Sequence, residues 1–175
     1  MAHTLYTLGY TGLKPEQIQQ LAADLGAKVI DTRFSPRSRA VQWTRLRLTQ
    51  LLGSSYQHLP SLGNINYKGD GPIVINKPEE GVPQVASLLE KQAIILLCVC
   101  AEVSSCHRKV VAELVQEFSG CEITHLSGKD LTTIQPRPLF DQADYSVKPS
   151  PTLADQGGTL ALTSKTLPLH QKKMF

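Results

Sequence analysis

No apolar run in this 175-residue chain is longer than the nine residues from Ala93 to Ala101, and a helix needs about 20 to cross a bilayer. The first residues contain no basic stretch leading into an apolar one, so no signal peptide is expected. Cysteine is scarce: Cys98, Cys100, Cys106 and Cys121 are the four. Two of them lie inside an apolar run, unlike the disulfide framework of a small secreted domain. A soluble protein of the reducing cytoplasm is expected, with no membrane partner. No internal repeat is visible. Charged residues are only 19% of the chain against 41% hydrophobic, which fits a folded domain and not a disordered one.

Negative charge is missing from one stretch. Arg33, Arg37, Arg39, Arg45 and Arg47 follow one another with no acid between them. The net charge of +3 is too small to indicate a nucleic-acid partner, but this local excess marks an anion-facing surface. Familiar phosphate motifs are absent as well: there is no Walker A and no G-x-G-x-x-G. A phosphatase loop needs Arg six residues after its Cys, whereas Cys106 follows Cys100 at that distance and Ser104 follows Cys98. Cys100, Cys106 and His107 leave a zinc site open, though their spacing matches no paired knuckle and a fourth ligand is not evident. No metal and no cofactor is assigned.

What is present is an alternation of apolar runs with amphipathic segments. Strands are predicted at 4–8, 28–32, 56–59, 93–100 and 121–125, and helices from 15 to about 25, 43–52, 82–91 and 106–118. The run Ile94-Ile95-Leu96-Leu97 implies burial on both faces, hence a central strand of a parallel sheet. The predicted fold is a single α/β domain with a mainly parallel central sheet covered by helices on both faces. It occupies residues 1–130. Residues 60–81 look like loop, which at that length is unusual inside a domain. Residues 131–175 are expected to be a poorly structured C-terminal tail: from 136 onward there are five prolines and two adjacent glycines. Its scattered apolar residues are available to a protein partner.

In such sheets ligands gather outside the carboxyl ends of the strands. The first strand delivers Tyr10 there, within Gly-Tyr-Thr-Gly. The second delivers Asp31 and Arg33, and the loop beyond carries Ser38 and Arg39. The fourth delivers Cys100 and Glu102, then Cys106-His107-Arg108 at the start of a helix, with Ser104 and Ser105 as candidate caps. A helix N-terminus favours an anion and lowers a thiol's pKa, and Arg108 adds a forked donor. Together these residues outline an anion-binding pocket with a candidate nucleophile. Each has a plainer alternative. Asp31 can be a cap or half of a structural ion pair with Arg33, and Cys98 and Cys100 can be small core residues. His58 and His125 are isolated, and Trp43 suits the core or its rim.

Four segments, T-L-G-Y-T-G, D-T-R-F-S-P-R-S-R, Y-Q-H-L-P-S-L-G-N and C-A-E-V-S-S-C-H-R, in this order and spacing, resemble the YeaO-like family of domains of unknown function. The resemblance spans about residues 4–126. Thr32 stands where that family usually has Val, and the segment between Asn64 and Val82 does not align with the family's aromatic-rich stretch. The resemblance implies the same α/β fold and the same site but names no reaction.

The residues themselves suggest an enzyme acting on a phosphate-bearing substrate, a nucleotide or nucleic acid. Arg33, Arg39 and Arg108, with Tyr10 and Ser38, would bind it. Asp31 or Glu102 would act as acid or base, and Cys106 with His107 would be the nucleophile. Hydrolysis and group transfer are not distinguished. The alternatives are a non-enzymatic module binding nucleic acid or protein through the Arg-rich segment and the tail, and a redox or sulfur-handling protein using Cys100 and Cys106.

Overall fold

The computed structural model describes residues 2–69 and 71–132. Five strands, β1 (Leu5–Gly9), β2 (Ala27–Asp31), β3 (Tyr56–His58), β4 (Ala93–Cys98) and β5 (Ile123–Leu126), form one sheet in the order β3-β2-β4-β1-β5. Every ladder is parallel, with Leu5 opposite Ile94 and Ile123, and Val29 opposite Ile95 and Tyr56. The predicted α/β fold is the one observed.

The helices are α1 (Pro15–Asp24), α2 (Arg45–Leu52), α3 (Pro78–Leu89), α4 (His107–Ser119) and the short α5 (Gly128–Thr132). Alternate residues of β4 serve two cores. Ile95 and Leu97 pack with Ile18 and Leu21 of α1 and Leu48 of α2. Ile94 and Leu96 pack with Val82, Val85 and Leu89 of α3 and Val111 and Val115 of α4. At roughly 1.5–3 kcal/mol for each large apolar side chain fully buried, β4 anchors both layers. Among the described residues no helix is long and apolar enough to cross a membrane.

The segment expected to be loop, 60–81, carries more structure than its composition suggests. It contains a 3-10 turn at Pro60–Leu62, an isolated antiparallel bridge between Asn64 and Ile75, and the first turn of α3. The helix begins at Pro78, with Glu79 and Glu80 in its first turn, and passes through Pro83. Reading 60–81 as loop therefore placed the helix start four residues too late. Pro78 costs nothing at the first helical position, whereas Pro83 lies inside the helix and cannot donate to the Glu79 carbonyl. At the other end Leu131 of α5 is buried in the core of the α1 side, so ordered structure continues past residue 130. The remainder of the expected tail, from residue 133, lies outside the described residues.

The helices also set which way the chain leaves each strand end. The connections after β1 and β2 leave toward the α1–α2 face, and the connection after β4, which lies between them, leaves toward the α3–α4 face. Divergent connections at neighbouring strand ends are where α/β sheets open a binding crevice.

Candidate functional site: a three-cysteine cluster at the end of the central strand

Two buried clusters stand side by side at these strand ends. The first is built on Asp31, which is 0% exposed. Its Oδ1 accepts from Arg33 Nε at 2.8 Å and from the Arg33 amide at 3.1 Å, and its Oδ2 accepts from Arg33 Nη2 and, at 2.7 Å, from the Tyr56 hydroxyl. Arg33 Nη1 donates to the Tyr10 hydroxyl at 3.0 Å and to the Trp43 carbonyl at 2.9 Å. Tyr10 and Trp43 stack with centroids 4.1 Å apart. Burial raises the Tyr56 pKa, and the Asp31 carboxylate that accepts its proton raises it further. Burial likewise raises Tyr10, with Arg33 opposing. Burial alone would lower the Arg33 pKa, but its bonds and charge contact with Asp31 reverse the direction. Asp31, Arg33 and Tyr10 are therefore joined, with Tyr56 closing a network that holds no side chain free for a ligand.

The second cluster is built by β4 and α4. The Sγ atoms of Cys98, Cys100 and Cys106 lie within 4.8 Å of one another. Cys98 and Cys106 are buried, while Cys100 is half-buried. Cys106 is itself the N-cap of α4, with extended backbone at φ −105° and ψ 138°. Neither Ser104 nor Ser105 caps the helix. His107 Nε2 donates to the Thr32 carbonyl at 3.0 Å, which leaves Nδ1 facing Cys98 Sγ at 3.5 Å. These three sulfurs are the one group among the described residues that could offer three ligands to a soft metal ion.

The electrostatics divide the three thiols. Cys98 is pushed far up by its hydrogen bonds to Cys100 and Cys106 and by burial, so it keeps its proton. Cys106 lies well below the ordinary thiol range. The Cys98 thiol does most of this, and burial opposes it; His107, the Arg108 amide and the Arg108 charge add to the lowering. Cys100 is lowered as well, again chiefly by Cys98. His107 is raised: burial opposes its cation, and Cys106 and the Thr32 carbonyl outweigh that.

Arg108 is 1% exposed and has no carboxylate partner among the described residues. Its Nη1 donates to the Cys100 carbonyl and its Nη2 to the Ala101 carbonyl at 2.9 Å, while Nε has no acceptor. A buried guanidinium facing only neutral carbonyls favours an anion nearby, and its charge is among the influences that hold the Cys106 thiol low.

The Gly-Tyr-Thr-Gly turn holds the loop from the other side. The Tyr10 amide donates to the Cys98 carbonyl at 2.9 Å, and the Thr11 amide and hydroxyl donate to the Val99 carbonyl. Four successive carbonyls, 98 through 101, are thus each held by a donor. The loop passes so close to β1 that a Cβ on Gly9 would sit 1.7 Å from the Cys100 oxygen. Only glycine allows this approach.

The remaining site candidates stand apart. Glu102 is exposed and makes no hydrogen bond or ion pair among the described residues. Ser38 accepts from the Ala40 amide, and Arg39 is exposed without a partner among the described residues. His58 Nε2 bonds the Arg33 carbonyl at 2.8 Å, and His125 bonds Thr7. Three residues of the clusters escaped the sequence reading. Cys98 looked like core and Tyr56 like an ordinary strand aromatic. Thr32 passed for an isostere of Val, yet its hydroxyl donates to the Leu97 carbonyl at 3.1 Å and lies 3.2 Å from His107 Nε2. The period-2 pairing of Cys98 with Cys100 was the available signal for the first. Comparison with protein-family models, with curated proteins and with solved structures finds no match for this chain.

Proposed function

We propose that this chain is a YeaO-like, thiol-dependent enzyme of the reducing cytoplasm that reduces a disulfide substrate through Cys100 and Cys106. The observation that carries this reading is the meeting of three sulfurs within 4.8 Å, one reachable from solvent and two buried. A lone thiolate is enough for acyl or phosphoryl transfer. A second thiol in reach is what resolves a mixed disulfide. Of the three arginines expected to hold a phosphate, Arg33 and Arg108 are bonded to protein acceptors instead, and Arg39 is exposed and apart from both clusters.

Access sets the order of events. The Cys100 thiolate attacks one sulfur of R–S–S–R′, forming Cys100–S–S–R and releasing R′–S⁻. The Cys106 thiolate then attacks Cys100 Sγ, forming the Cys100–Cys106 disulfide and releasing R–S⁻. Both leaving thiolates take a proton from solvent. The substrate gains the two electrons that the protein dithiol loses, and an external dithiol returns them. Cys98 remains protonated throughout and orients the other two. The four segments behind the YeaO-like resemblance supply the parts: the Gly9 turn, the Asp31 network, Tyr56 and the cysteine loop.

Dipyridyl disulfide tests the scheme. The wild type is expected to release two equivalents of thiopyridone rapidly and to end with an internal disulfide. Cys106→Ser should release one and hold the adduct on Cys100, as read by peptide mass. Cys100→Ser should lose the fast phase. A protein that carries one equivalent of zinc and reacts only after chelation would instead be a metal site, and the thiol-exchange reading would fall.

A further inference from the structure

We propose that the surface formed by Phe34, Arg37, Arg45, Tyr67 and Lys68 binds single-stranded nucleic acid, independently of the cysteine cluster. From residue 32 to residue 69 the chain contains five arginines and a lysine but no acid. Arg33 is neutralised by Asp31, which leaves the charge of the others facing outward. Arg37 and Arg45 are exposed and have no acceptor among the described residues, and they line one open groove with Phe34, Ser38, Thr44 and His58.

Aromatic rings lie beside these charges. Phe34 is 38% exposed and Tyr67 48%, and their centroids are 5.9 Å apart. Lys68 Nζ stands 5.5 Å over the Tyr67 ring. The arrangement is built rather than incidental. Asn64 Oδ1 accepts from the Asn66 and Val74 amides, shaping the loop that carries Tyr67. Gly63 lets this loop pass against the Phe34 backbone, where a Cβ would lie 2.4 Å from the Phe34 Cα.

Exposed aromatic rings beside exposed cations match what a single strand presents. Unstacked bases offer faces to Phe34 and Tyr67, and phosphates offer charge to Arg37, Arg45 and Lys68. An acidic protein offers the charge without the bases. A duplex hides its base faces in the stack.

Fluorescence anisotropy of the full chain with a labelled 12-nucleotide mixed-sequence single strand, at several salt concentrations, tests the proposal. Binding is expected, stronger than to the matching duplex or to polyglutamate of equal charge. The variant Phe34→Ala/Tyr67→Ala should bind roughly tenfold more weakly or worse. Arg37→Gln/Arg45→Gln should weaken binding and flatten the salt slope by about 0.7 log unit for each phosphate no longer neutralised. Cys106→Ser should bind as the wild type does. No binding at low salt, equal binding to polyglutamate, or indifference to loss of the two rings would each overturn the proposal. Unchanged melting temperatures in these surface variants keep the comparison clean.

Discussion

Adjacent strand ends in this protein each bury an arginine, and the two arginines are treated in opposite ways. Arg33, at the end of β2, faces a carboxylate that it grips with two nitrogens, and its last nitrogen also finds oxygen acceptors. Arg108, packed beneath the end of β4, faces two carbonyls and keeps one nitrogen unbonded. A guanidinium paired with carboxylate is electrically complete and attracts nothing further. A guanidinium paired with carbonyls keeps its charge in a poorly solvated place and stabilises any anion that forms nearby. The first arrangement therefore makes scaffold, and the second adds its charge to the lowering of the Cys106 thiol that Cys98 chiefly brings about. Burial and residue type are shared, so the counter-ion decides.

The comparison breaks most readily at Asp31. Asp31→Ala leaves Arg33 buried without its counter-ion, and a loss of about 3–5 kcal/mol is expected in urea unfolding. Arg108→Met removes a cation that had no carboxylate, fills similar volume with an apolar chain, and should cost clearly less. Equal losses would mean that both arginines are structural pairs of one kind, with the Cys106 side simply harder to recognise.

Tyr56 sharpens the same contrast through pH. Tyr56→Phe deletes a hydrogen bond to a charged group, worth about 1.5–3 kcal/mol near neutrality. The folded protein holds Tyr56 and Tyr10 above their ordinary value of 10.0. Below that value both phenols are neutral whether folded or not, so their contribution is whole. Above it the unfolded phenols ionise first, and stability falls as pH rises toward the folded values. The wild type should therefore lose stability steeply above pH 10, and Tyr56→Phe less steeply. Parallel curves would place Tyr56 outside the Asp31 network.

The thiol side gives the next effect. With the Arg108 charge gone, one of the smaller influences that hold the Cys106 thiol low is lost, and Arg108→Met should resolve the Cys100 adduct modestly more slowly at pH 6. At pH 9 the gap should narrow. A rate loss of the same size at both values would show that Arg108 acts by holding the loop and not by its charge.

What the sequence made legible was whatever depends on near neighbours or on a run of one character. Ile94 to Leu97 announced a strand buried on both faces, and Asp31 with Arg33, read first as site residues, left open the ion pair that is observed. Cys106-His107-Arg108 announced a helix start. The illegible part lies across the sheet. Tyr56 reaches Asp31 from 25 residues away, and His107 reaches Thr32 from 75. These pairings exist because β2 sits between β3 and β4, an order no local pattern encodes. The exposure of the thiols was hidden for the same reason. Cys106 looked like the nucleophile because it opens a helix, yet the loop held by the Gly9 turn and Arg108 leaves Cys106 buried and Cys100 half-buried.

Thr32 gives the smallest effect and the finest test, because it joins the two clusters. It follows Asp31 directly, and its hydroxyl donates to the β4 backbone while lying against His107. Thr32→Val keeps the shape and removes only that oxygen, so about 0.5–1.5 kcal/mol of stability should be lost. His107 Nε2 still has the Thr32 carbonyl, so the ring should stay in place and the thiol kinetics should change less than in Arg108→Met. A double-mutant cycle with Tyr56→Phe asks whether the clusters communicate. If Arg33 and Arg108 belong to separate electrostatic systems, the two losses should add to within about 0.5 kcal/mol. A larger coupling would mean that Thr32 transmits strain between them, and the scaffold end of β2 would then be tuning the thiols at the end of β4.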